Sequence, residues 1–345
     1  MGKDEILNWL KEDREGVLER LFRRADEVRA SNVGDAVHLR GLLEISNNCK
    51  RFCGYCGINA GNSGITRYRI SYEEIMECVK EASDYGYGTI VMQAGEDEGI
   101  GYEFVERIIR KIKDDFGLAV TLSLGERSQE ELVGWKKAGA DRYLLRFETS
   151  NRKLYDLIHP PLKGREAFDR IEMLRRLRDI GYEIGSGVMI GLPGQSFNDL
   201  ANDILTFAEL DLDMIGVGPY IAHPDTLLGR EPERYLLAND QQVRASEQMC
   251  YKVIALARIV CPQANIPATT ALASINIADG REKGLCRGAN VLMPNITPTE
   301  YRQYYEIYPS KACIYETAKQ CRGCMAGRIR SIGRSIGSGA GSRMH

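Results

Sequence analysis

The chain has 345 residues, 43% of them hydrophobic and 27% charged, enough for one large α/β barrel or two ordinary domains. A formal net charge of -2 provides no basic field of the kind that neutralises phosphates, which argues against a nucleic-acid partner. The highly charged residues 1–30 hold no secretory apolar core and no run of about 18 apolar residues suggests a membrane span, so a cytoplasmic protein without a membrane partner is expected. In that compartment ten cysteines point to metal or redox chemistry rather than to disulfides.

In chain order, a helical segment over about 4–30 is followed by apolar, β-rich runs at 37–46, 89–93, 118–124, 142–148, 184–191, 213–220, 265–271 and 290–294. The segments between them carry helical periodicity and start signals, among them the capping-box spacings Ser71 to Glu74 and Ser128 to Glu131. Strand–helix alternation over about 260 residues predicts an α/β fold, a (βα)8 TIM barrel, which typically takes about 250 residues. The predicted organisation is a single domain over 1–345: an N-terminal helical extension (1–35), the barrel core (36–294) and a C-terminal extension (295–345). A doubly wound open sheet has the same periodicity and is the structural alternative.

A barrel places its active site on the loops beyond the C-terminal ends of its strands, and the chemically interesting residues fall there. Cys49, Cys53 and Cys56 follow the first predicted strand, "AGED" (94–97) the second and "GER" (125–127) the third; Arg146 and Glu148 close the fourth, "GLPGQ" (191–195) and "AHPDT" (222–226) follow the fifth and sixth, Thr269 and Thr270 end the seventh and Met293 the eighth. The thiol spacing is C-x3-C-x2-C, with no histidine close by. Structural zinc takes four ligands, commonly in paired C-x2-C arms, whereas a four-iron cluster is held by cysteine thiolates, normally four. Three thiolates leave one iron open to a small chelating molecule. A second triplet, Cys313, Cys321 and Cys324, lies beyond the last predicted strand with spacing C-x7-C-x2-C. Read singly, several of these residues have plainer explanations. Arg146 and Glu148 share a strand face and can form an ordinary ion pair, Tyr305 and Tyr308 stand at helical spacing, and Met293 can fill a core gap. Cys78, Cys250, Cys261 and Cys286 show no ligand spacing and read as buried small hydrophobes. The four histidines form no cluster; His223, beside Asp225, sits on a loop at the barrel mouth.

The C-x3-C-x2-C loop after the first strand resembles that of the radical S-adenosylmethionine (SAM) superfamily. More narrowly, "VTLSLGE", "ADRYLLRFET", "GLPGQSFNDL", "DMIGVGPYIAHPDT", "NIPATTA", "CRGANVLMPNITPTEYRQYYEIYPSKAC" and the tail triplet resemble the HydE family of FeFe-hydrogenase maturases, over roughly residues 35–325. The resemblance implies a 4Fe-4S cluster on Cys49, Cys53 and Cys56 that cleaves SAM to methionine and a 5'-deoxyadenosyl radical. It places Tyr55 beside adenine and gives the methionyl ammonium to Glu96 of the Gly95–Glu96 segment, where Ala94 replaces the family's first glycine. Arg146 and Glu148 then take SAM's carboxylate and ribose, with Arg170 completing the site. Phe147 replaces a histidine of some members and should point the other way along the strand. The implied substrate cavity is formed by Thr121, Ser123, Arg142, Thr269, Thr270, Met293, Tyr305 and Tyr308. The implied substrate is a cysteine-bound iron carbonyl–cyanide synthon, supplied by HydG and converted toward the dinuclear iron subcluster passed to HydF, with an external electron donor. Cys313, Cys321 and Cys324 would hold a second, labile iron–sulfur cluster near the surface, dispensable for the reaction. A radical SAM mutase of the methylornithine synthase (PylB) type, biotin-synthase-like sulfur insertion and a non-catalytic iron–sulfur carrier stand as alternatives.

Overall fold

Seven parallel strands curl into the wall of a barrel in a computed structural model whose described residues are 1–164 and 168–343. The strands are β1 (Ala36–Ser46), β2 (Thr89–Ala94), β3 (Ala119–Ser123), β4 (Arg142–Leu144), β5 (Glu183–Ile190), β6 (Met214–Pro219) and β7 (Val291–Leu292). They lie in the order β6-β5-β4-β3-β2-β1-β7, so each successive strand pairs with its predecessor until the crossover that sets β7 beside β1. Buried on both faces, they read as nearly continuous apolar runs rather than as alternating ones.

The barrel closes without a regular strand at the predicted seventh position. Residues 265–267 bridge the gap through two isolated parallel contacts, Met214 to Asn265 and Pro267 to Val291. Pro267 has no N–H to give a ladder. Two residues later the Thr269 side chain accepts from the Leu272 amide and starts a helix, Thr270–Ile275, so the chain turns away before a strand can extend. β4 is likewise shorter than its apolar run. The Phe147 amide donates to the Ser186 hydroxyl instead of a carbonyl, and Glu148 adopts φ 62° before pairing resumes opposite Val188.

The helices form where their caps predict. Ser71 and Ser128 make reciprocal capping boxes with Glu74 and Glu131, and Ser196 with Asp199 and Thr317 with Gln320 repeat the device. The N-terminal helices α1 (Lys3–Lys11) and α2 (Glu15–Val33) cover the helix Glu247–Val260, which is therefore buried around most of its circumference. One hydrophobic cluster runs without interruption from Ile6 to Ile329. Of the cysteines read as buried hydrophobes, Cys78, Cys250 and Cys261 are so, but Cys286 is exposed, because it caps the short helix Gly280–Leu285.

An unpredicted eighth strand, β8 (Ser335–Ile336), adds to the first residues of β1, and the chain after it crosses the floor of the barrel. Here lies a correction to the expected cavity: Arg142 is fully buried in the floor, away from the lining. Its side chain bonds Glu183 at 2.7 Å, Thr89 at 3.1 Å, the Ala340 carbonyl at 3.1 Å and the Ser342 hydroxyl at 2.7 Å. Positions 142, 144 and 146 share the inward face of the strand, and Arg142 belongs to its lowest layer. Arg40 gives Nη2 to the Gly341 carbonyl at 3.0 Å, and Arg343 anchors the tail on Asp211 at 2.6 Å and Asp213 at 3.3 Å. The tail passes so close that a Cβ on Gly88 would fall 1.7 Å from the Gly339 oxygen. Gly88→Ala must therefore displace the plug, and we expect a cost of about 1–3 kcal/mol, read by calorimetry as a lowered Tm; an unchanged Tm would show that the floor does not depend on this contact.

Candidate active site

The loop after β1 turns sharply enough to bring Cys49, Cys53 and Cys56 to the edge of one cavity at the barrel mouth. What holds it is hydrogen bonding to its own main chain. Arg67 donates to the carbonyls of Asn47 (2.5 Å), Ile58 (2.7 Å), Asn59 (2.8 Å) and Asn62 (3.1 Å). Asn47 in turn donates to the Thr66 and Tyr304 carbonyls and accepts from the Tyr68 amide. The loop rests directly on the segment after β2: the Lys50 amide bonds the Glu96 carbonyl, and a Cβ on Gly95 would lie 2.2 Å from the Asn48 oxygen and 2.8 Å from Cys49 Cβ. The glycine of "AGED" is a requirement of close approach. His223 packs over Gly57, where a Cβ would come within 2.5 Å of its ring, and its Nδ1 accepts from the Asp225 amide, a structural role.

The mouth cavity, about 240 Å³, gathers the thiols with Tyr55, Gly95, Glu96, Arg146, Glu148 and Arg170, and with Ser123, Thr269, Tyr305 and Tyr308. A deeper chamber of about 180 Å³ is lined by Thr121, Thr270 and Met293. It shares Gln93, Ser123, Leu144, Arg146, Thr269 and Tyr308 with the first, so the two adjoin across a common wall. Apart from Arg142 and the tail triplet Cys313, Cys321 and Cys324, the predicted site residues stand around these two spaces. The chamber also holds residues that sequence reading missed: Arg40, Glu44 and Lys311. The Lys311 ammonium contacts Glu44 and the Tyr305 carbonyl, and Asn295 donates to the other Glu44 oxygen at 3.0 Å. No local signal announces a pair separated by 267 positions.

Burial governs the electrostatics. It pushes the Cys49 thiol up, Cys53 well up and Cys56 up to about 12, so ligation of a metal here must release protons. Burial also raises the Glu96 and Glu148 carboxyls and holds His159 well below its usual range; this neutral ring shares a 2.8 Å hydrogen bond with the Tyr55 hydroxyl. Glu96 belongs to a buried ring of charges. Arg170 bonds Glu96 and Glu126 at 3.0 Å each, and Arg51 bonds the other Glu126 oxygen at 3.2 Å. Arg146 lies 3.2 Å from Glu148 and gives Nη2 to the Val188 carbonyl at 2.6 Å. Oxygen Oε2 of Glu96 and Nε of Arg146 are buried without hydrogen-bond partners among the described residues, while Oε2 of Glu148 is the atom paired with Arg146. Three thiols on one rim, beside an unfilled acceptor and an unfilled donor, fit a sulfur-ligated cluster with a polar, zwitterionic ligand next to it.

The second triplet is divided. Cys313, at φ 65°, is hydrogen-bonded to Cys321 and to Arg281, which together pull its thiol down to about 6, while Cys321 is pushed up. Cys324 is exposed and bonded to Arg328 at 3.4 Å. Among the described residues, no three His, Cys, Asp or Glu side chains are grouped to hold a single metal ion, and no helix is long and apolar enough to cross a membrane.

Residues 43–207 match the family model of the radical SAM superfamily. Over 329 residues the chain is 44% identical to the [FeFe] hydrogenase maturase subunit HydE of Thermotoga maritima, covering 95% of this chain and 90% of that one. It is 29% identical over 303 residues to a 3-methylornithine synthase of Methanosarcina acetivorans, covering 87% and 81%. The solved structure of a methylornithine synthase (PylB) superposes with a TM-score of 0.79 at 23% identity, covering 97% of this chain and 94% of that one. If the Gly95 contact seats the thiol loop, Gly95→Ala should keep the fold, seen by circular dichroism, yet bind far less iron on anaerobic reconstitution; a full iron complement would show that the loop tolerates the methyl.

Proposed function

Because the chain belongs to the radical SAM superfamily and, within it, to the family of the maturase subunit HydE, we propose that it acts in assembly of the FeFe-hydrogenase active-site cofactor, on a cysteine-bound iron carbonyl–cyanide synthon held in the deep chamber. The observation that carries this reading is the adjacency of the two spaces: the cavity edged by the three thiols shares Arg146 with a deeper chamber bearing Arg40 and Lys311 against the carboxylate of Glu44. A cationic, enclosed lining favours an anionic substrate. HydG supplies that substrate, HydF receives the product, and an external donor provides the electron.

Cys49, Cys53 and Cys56 would hold a 4Fe-4S cluster, which would supply the electron for reductive cleavage of SAM to methionine and a 5'-deoxyadenosyl group. The chain's own contribution is position. Glu96 receives the methionyl ammonium on its unfilled oxygen, Glu148 takes the ribose, and Arg146 reaches the carboxylate with Nε. Tyr55, pinned by His159, flanks the adenine, and Arg170 ties Glu96 to the Arg146 main chain, its Nη1 donating to the Arg146 carbonyl at 2.9 Å. Thr121, whose buried hydroxyl has no partner among the described residues, with Ser123, Thr269, Thr270, Met293, Tyr305 and Tyr308, shapes the chamber and excludes water. The continuous core from Ile6 to Ile329 supports reading both extensions as parts of one domain over 1–345.

Anaerobically reconstituted protein supplied with reductant should release 5'-deoxyadenosine and restore activity to a maturation mixture lacking HydE, and Cys53→Ala should abolish both together with the cluster. Production of 3-methylornithine without maturation would replace this reading by the mutase. At the tail, Cys313 and Cys321 already in contact support a second, labile cluster completed by Cys324. Replacing Cys321 and Cys324 together with Ala should lower bound iron while 5'-deoxyadenosine formation and maturation persist; loss of maturation with the first cluster intact would make the tail site functional.

A further inference from the structure

Arg51, between the first two cysteines of the loop, is 5% exposed and lines the same cavity as the thiols. Its Nη1 is fixed on Glu126 at 3.2 Å. Its Nε and Nη2 are buried and have no hydrogen-bond partner among the described residues. These two nitrogens form the side of a guanidinium that grips a carboxylate through two parallel bonds. Arg69 uses the same side on Asp97, at 2.7 and 2.8 Å. In Arg51 that fork is vacant, and Glu96 Oε2, also unfilled, lies 3.9 Å from its Nε, too far for a hydrogen bond. A two-point donor beside a one-point acceptor complements an α-amino-acid zwitterion, with carboxylate to the fork and ammonium to the oxygen. The neighbouring arginines offer less on that side: each nitrogen of Arg170 already has a partner, and in Arg146 the corresponding fork has its Nη2 on the Val188 carbonyl and beside Glu148, leaving Nε.

We propose that Arg51 adds a bidentate grip on the methionyl carboxylate of SAM, which Arg146 reaches at one point through Nε, and that Glu126, which holds Arg51 with one oxygen and Arg170 with the other, is the positioning residue that keeps the fork open toward Glu96. The proposal rests on the SAM site described above and not on the identity of the second substrate. An unfilled buried guanidinium is costly, and ligand binding removes that cost, so the carboxylate contributes strongly to affinity.

The test is equilibrium binding of SAM and of decarboxylated SAM, which keeps the sulfonium and nucleoside, to cluster-reconstituted protein with measured iron and sulfide. Wild type should prefer SAM by at least about tenfold, the equivalent of one charge-assisted contact. Arg51→Met should bring the two affinities close together by weakening SAM alone, and Arg51→Lys, which keeps the charge without the fork, should restore part of the preference. An unaltered preference in Arg51→Met, or an equal loss of both affinities, overturns the assignment. If Arg51→Met does not retain the cluster, Arg51→Lys decides: a reduced preference supports the grip and a wild-type preference refutes it. No hydrogenase enters the measurement, so its failure leaves the maturation reading intact, and loss of maturation leaves this one intact.

Discussion

The thiol loop depends on one cation that coordinates peptide carbonyls. Arg67 gathers the carbonyls of Asn47, Ile58, Asn59 and Asn62, stitching the beginning of the loop to its end. Such a loop has too few partners of its own to form a ladder, and its buried carbonyls need donors from somewhere. With that stitch in place, Cys49 is pressed against Gly95, Lys50 is bonded to Glu96, and the acid that follows Gly95 is drawn under the loop. The geometry of the mouth follows from a guanidinium that touches neither a thiol nor a ligand-binding carboxylate.

Below the mouth, the balance of charge changes with depth. Around Glu96, two carboxylates and two guanidiniums form a closed ring whose mutual attraction offsets the desolvation of each. In the chamber, Glu44 is matched by Lys311, while Arg40 donates to the Met214 sulfur at 3.0 Å and to a carbonyl, partners that do not neutralise it; its pKa falls to about 9, with burial the main cause and neighbouring Arg142 adding to it. The upper space is thus lined by paired charges of both signs and the lower one by an excess of cations, and residues common to both form the wall between them.

How much of this could be read beforehand depended on the range of the interaction. Capping boxes act over three residues and appeared where Ser71 and Ser128 announced them; the apolar runs of β1, β2, β3, β5 and β6 reflect burial on both faces. The run at 265–271 carried the same composition but also Pro267, whose missing donor outweighed it. The thiol spacing was legible because loop geometry fixes it locally. Arg142 was misassigned because the strand period gives the face a residue points to but not its depth, and the groups that hold it, at 340 and 342, lie nearly two hundred positions away. Arg51 stood in plain view within the thiol motif, yet its vacant donors are a property of the packing around it, which no sequence pattern encodes.

The barrel floor has a consequence for how the molecule is made. The segment that seals it, 337–343, follows every strand of the wall in the chain, so on a growing polypeptide the cylinder takes shape with its lower end open. Until the tail arrives, Arg40, Arg142 and Thr89 have water where the carbonyls of Ala340 and Gly341 will sit. These contacts join positions about 200 to 300 residues apart, the kind whose loop-closure entropy must be met before they return anything. Closing the base waits on the last stretch of the chain, as the mouth waits on Tyr304 and Lys311, and a nascent chain reaches it with its thiol loop and the surrounding strands already synthesised.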